Sequence, residues 1–138
     1  MASLIVSAGA VRQPVGSHDL LQFLLLLGGQ EIDDNLTALT TNLWSKLRGA
    51  WRVGTPAMSD VDPVQALASV GRELDPHLSA ALPLAAGECR HLLATDENVS
   101  PFLDYFPDLL AELEDYEYLL TNLLRISRTI RVEMDFSP

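Results

Sequence analysis

Glu88 and His91 stand three residues apart, the spacing at which helices of di-iron bundles present a carboxylate and an imidazole to metal. That chemistry requires a second such pair and two further inward carboxylates. The chain holds one Glu-x-x-His, and neither His18 nor His77 follows a glutamate by three residues. No metal site is therefore expected. Cys89 lies between the pair, but side chains two positions apart on a helix face different ways, so Cys89 reads as a buried structural thiol rather than a nucleophile served by His91. His18, beside Asp19, reads as a surface residue near a helix start. There is no Gly-x-Ser-x-Gly, Walker-type loop, His-Glu-x-x-His or Cys-x-x-Cys. Gly28-Gly29 follows a helical segment instead of joining a strand to one, which makes it a stop and not a phosphate cradle. No catalytic residue, cofactor or metal is assigned, and the chain is not expected to be an enzyme.

The remaining chemistry is that of contact. Eight acids and no Lys or Arg lie between Arg90 and Arg125: Asp96, Glu97, Asp104, Asp108, Glu112, Glu114, Asp115 and Glu117. Such a run is either a solvated helix face or a docking surface for a basic partner. Asp108, Glu112 and Asp115 fall at i, i+4 and i+7, on one face, with Glu117 on its flank. Arg125, Arg128 and Arg131 form the densest basic cluster, and Lys46, Arg48 and Arg52 a second. Three arginines do not make a nucleic-acid surface on so acidic a chain, so the acids of a neighbouring copy are an alternative counterpart. Trp44 falls on a helical stripe and belongs to the core. Trp51, beside Arg52 and outside any stripe, reads as a loop residue, either a lid on the core or a contact residue of the kind enriched at hot spots.

The elements that must carry these residues are mostly helical. Residues 3–11 open with Leu4, Ile5 and Val6 and read as a short strand or arm within 1–16, punctuated by Pro14 and Gly16. Ser17 is a fair N-cap for a helix through Leu27, whose leucines leave almost no polar face. A second helix is expected from about Asp33 to Arg48, with Leu36, Leu39, Leu43, Trp44 and Leu47 as one stripe and Gly49 as its end. Residues 51–59 read as an irregular loop. Asp62-Pro63 starts a helix to about Leu74 and Asp75-Pro76 another at once, kinked or divided at Pro83 before Leu93. After a polar loop at 95–100, a helix from Asp108 to about Ser127 has its seam on Leu109, Leu113, Tyr116, Leu120 and Leu123. The period then changes. Ile130, Val132, Met134 and Phe136 alternate with Arg131, Glu133 and Asp135, a half-buried strand within 129–138.

At 138 residues, 48% of them hydrophobic, the chain suits a single domain with a core that needs no disulfide. The expected class is mainly α: a compact bundle of five to six helices with short strand-like segments at the N- and C-termini. The formal net charge of −10 opposes nucleic acid and anionic membranes and favours basic partners. One cysteine, no positive n-region and no long apolar run make a cytoplasmic protein the expectation. The absence of a catalytic constellation, a nearly all-apolar helix and strand patterns at both ends suggest a non-enzymatic subunit or adaptor of a larger complex, such as a virion or secretion machine. Its partners would be other copies of itself or a basic protein, and the alternative is a small acidic antagonist, immunity protein or chaperone. The candidate contact residues are Asp108, Glu112, Asp115, Glu117, Trp51, Arg125, Arg128, Ile130, Val132, Met134 and Phe136.

Overall fold

A computed structural model describes residues 3–15, 18–29 and 34–135. Its first element is a hairpin of β1 (Ser3–Ala8) and β2 (Val11–Val15). Gly9 opens the two-residue turn at φ +59°, the left-handed value a tight hairpin turn asks of its first residue. There follow α1 (His18–Leu27), α2 (Asp34–Gly54), a 3-10 turn (Pro56–Met58), α3 (Pro63–Ala68), β3 (Arg72–Glu73), α4 (Pro76–Thr95), α5 (Phe102–Tyr105), α6 (Leu109–Leu123) and β4 (Arg131–Asp135).

The four strands make one antiparallel sheet in the order β2-β1-β4-β3. Val6 stands beside Gln13 on one side and Val132 on the other, and Leu4 beside Val15 and Met134. Leu4, Val6, Ala8 and Val132 join a continuous core with the inward leucines of the helices. α1 and α6 lie against β1, and α4 packs along α6. Phe23, Phe102 and Phe106 cluster in that core, with Phe23 meeting the other two rings edge-on, an arrangement the ring quadrupole prefers. No helix among the described residues is long and apolar enough to cross a membrane.

The mainly helical class with short strands at both termini is observed, but the sheet is larger than the sequence suggested. The two terminal strands pair with each other inside the chain, and two further strands flank them. β2 is an exposed edge strand, where Pro14 is tolerated because an edge asks for fewer amide donors. Pro14 therefore sits within the strand and does not end it. α2 does not stop at Gly49. It runs on to Gly54, so Trp51 is helical, and its burial repays the small helix cost of Gly49. α3 ends at Ala68 instead of near Leu74, because Gly71, at φ +100°, turns the chain into β3. Pro83 does not divide α4, which is one helix of 20 residues with the proline inside it. α6 ends at Leu123, four residues early, with a turn through Ser127. Ser17, Asp33, Gly16 and Phe136 lie outside the described residues.

Candidate functional site

Two helix starts converge at one end of the molecule, and three acids meet there. The N–H of Leu20, third residue of α1, donates to Glu112 Oε1 of α6 at 3.0 Å. The N–H of Asp108, just before α6, donates to Asp19 Oδ2 of α1 at 2.9 Å. Each helix thus supplies the carboxylate that satisfies a free amide at the other's N-terminus, a reciprocal cap across 92 and 89 positions of sequence. Both positive helix ends favour the negative charge. The cost falls on Glu112, whose carboxyl is pushed above the usual glutamate range by burial and by the neighbouring charges of Asp19 and Asp108. One oxygen from each of Asp19, Asp108 and Glu112 lies within 4.8 Å of the others. This is the one group of described residues that could close on a hard divalent cation; the two caps account for its convergence without an ion.

Two of the other six acids of the run are spent within the chain. Asp96 pairs with Lys46 at 2.7 Å, which holds its carboxyl below the usual range, with further help from the Asn98 N–H. Glu117 pairs with Arg90 at 3.1 Å and rests against Gly87, where any Cβ would crowd its carboxylate. Of the eight acids, Glu97, Asp104, Glu114 and Asp115 are exposed without an ion pair or side-chain hydrogen bond among the described residues. Asp108 is exposed too, while Glu112 is partly buried.

Several other contact candidates also face inward. Ile130 and Val132 are fully buried and Met134 packs on the same core. Trp51 is 1% exposed, its indole N–H donating to Met58 O at 2.9 Å. It is a core residue, not a free contact. Cys89 is fully buried, with its thiol pushed up to about 12 by desolvation, so no nucleophilic thiolate forms near neutrality. Glu88 and His91 line an open groove with Lys46 and Asp96, and among the described residues they belong to no group of three metal-ligating side chains.

The basic residues divide the other way. Arg48 clamps Asp62 with two hydrogen bonds, at 3.0 and 2.8 Å, while lying 5.8 Å from the Trp44 ring centre. Lys46 and Arg90 are paired as above, and Arg131 pairs with Glu133 on its own strand. Arg12, Arg125 and Arg128 are exposed and carry no ion pair among the described residues. The fold brings them to one end. Ser7 stands between Arg12 and Arg131 in the sheet register, and the Gly9 turn sits against Ile126, between Arg125 and Arg128. Ile126 is 55% exposed and Val11 38%, so the hairpin end combines unpaired guanidinium groups with bare apolar surface.

Comparison with known protein families, with curated proteins and with solved structures finds no match to this chain.

Two features of this geometry have no local mark in the sequence. Nothing in the linear order ties Arg12 to Arg125 and Arg128; only strand pairing does. Asp19 stands in the first turn of α1, and its role at α6 is tertiary. The i, i+4 spacing of Asp108 and Glu112 was the one visible sign of the acid cluster.

Proposed function

We propose that this protein is a non-enzymatic protein–protein interaction module, a subunit or adaptor of a larger complex, that engages an acidic protein surface through its hairpin end. One observation carries the reading: Arg12, Arg125 and Arg128, without an ion pair among the described residues of a chain of net charge −10, stand together beside exposed Val11 and Ile126. An acidic chain has ample carboxylate with which to neutralise its own arginines, and among the described residues it does so at Arg48, Arg90 and Arg131, though not at Arg52 or Arg72. Arginine beside apolar surface is also the composition that interfaces favour over the general surface. Poly-L-glutamate tests the reading, because a chain this acidic has no general attraction for a polyanion. Calorimetric titration should show binding by the parent and its loss in Arg12→Gln/Arg125→Gln/Arg128→Gln. Equal binding by the two, or none by the parent, overturns it.

A further inference from the structure

The end of the molecule opposite the hairpin carries the opposite charge around an apolar groove, and from this we infer that copies of the chain associate head to tail, the hairpin end of one seated in the groove at the α5 end of the next. This rests on the interaction reading above and names its partner. The groove, of about 520 Å³, lies between α2 and α5. Ala38, Leu39, Pro101 and Tyr105 give it an apolar lining, and Tyr105 is 42% exposed. Asp104 stands in its wall. Asp34, Glu97 and Asp108, on the elements around it, are exposed without an ion pair among the described residues. The hairpin end carries the reverse: Val11 and Ile126 to fill an apolar groove, with Arg12, Arg125 and Arg128 to meet its acids.

The two surfaces cannot satisfy each other within one copy. They stand at opposite ends of α6, whose 15 residues span roughly 22 Å. A contact between unlike surfaces is heterologous, so it closes into a ring or runs on as a filament. Two copies, each at −10, repel at long range. At physiological salt a Debye length of ~8 Å confines that repulsion, and the complementary ends act inside it. Border charges of this kind set register and speed more than affinity, while the apolar tip in the groove supplies most of the attraction.

Sedimentation velocity on the full chain over a concentration series tests this with two variants, each checked for helix content by circular dichroism. Arg12→Glu/Arg125→Glu/Arg128→Glu removes the hairpin end, and Glu97→Lys/Asp104→Lys the groove end. The parent should grow past dimer as concentration rises, and each variant alone should stay monomeric. Their equimolar mixture should assemble again, since the native hairpin end of one fits the native groove of the other and the reversed ends, Glu against Lys, are complementary once more. If a charge variant fails to fold, Ile126→Gln and Tyr105→Gln make the same pair of tests on the apolar side. A monomeric parent, variants that assemble as the parent does, or a mixture that stays monomeric overturns the arrangement. A monomeric parent that still binds poly-L-glutamate through the three arginines overturns the head-to-tail contact alone. A parent that neither binds nor assembles removes both readings.

Discussion

Glu112 illustrates how one residue can be locally favourable and electrostatically costly at once. Its carboxylate caps α1 from another helix, yet burial and two neighbouring acids disfavour its charge. Glutamine keeps the accepting oxygen and removes the charge. Glu112→Gln should therefore match or exceed the parent in urea denaturation near neutrality. Glu112→Ala, which leaves the Leu20 N–H without its acceptor, should lose ~1 kcal/mol, as other lost caps do. If the two variants fall equally, the charge itself stabilises the paired helix ends and the desolvation argument fails. Ser79 is a second case, fully buried at the start of α4. Its hydroxyl donates to Leu74 O at 3.2 Å and accepts the Ile130 N–H at 2.9 Å. Ser79→Ala leaves that buried N–H unpaired, at a cost of ~1–3 kcal/mol. Thermal melts should show it as a clear drop in midpoint, and an unchanged midpoint would mean water replaces the hydroxyl. Nothing in the local sequence marks Ser79, because its partner lies 51 positions away.

Among the elements, those with a buried face long enough to show a period were legible. Ile130, Val132 and Met134 alternate because β4 is half-buried, and the seam of α6 repeats because its leucines meet α4 and the sheet. β2 shows no alternation because four of its five residues are exposed, and β3, at two residues, is too short for any period. The extension of α2 was visible in principle. Leu43, Leu47 and Trp51 lie at i, i+4 and i+8 on one buried face, a signal that Gly49 masked. The sheet makes β4 indispensable, since it holds β1 on one side and β3 on the other. Ile130 and Val132 together bury two aliphatic side chains worth ~1.5–3 kcal/mol each, against a total of ~5–15 kcal/mol for a typical domain. Deleting residues 129–138 should abolish the cooperative melting transition seen by circular dichroism. A truncated chain that melts cooperatively near the parent midpoint would show that the helices hold without the sheet.

For the whole molecule, acidity acts on stability through two opposed sets of groups. The raised carboxyl of Glu112 binds its proton more tightly in the folded chain than in the unfolded one, so stability falls as pH rises through the interval above the usual glutamate value. The Asp62 carboxyl, bonded by Arg48, and that of Asp96, bonded by Lys46, are held below the usual aspartate range. The stability they contribute is present above that range and lost as pH falls toward their lowered values. Melting temperature should therefore rise modestly from pH ~7 toward ~5 and fall below ~4. Relief of general repulsion adds to the rise, because a chain of net charge −10 approaches neutrality near its isoelectric point of about 4.5. Salt separates the two contributions. High salt screens repulsion between distant exposed charges far more than it screens a partly buried carboxyl among close neighbours. At about 1 M salt, where the Debye length is ~3 Å, most of the general rise should vanish. A smaller rise should persist in the parent and be absent from Glu112→Gln. If both proteins rise equally at high salt, the acid-side gain belongs to the overall charge, and the strain assigned to the meeting of α1 and α6 is not there.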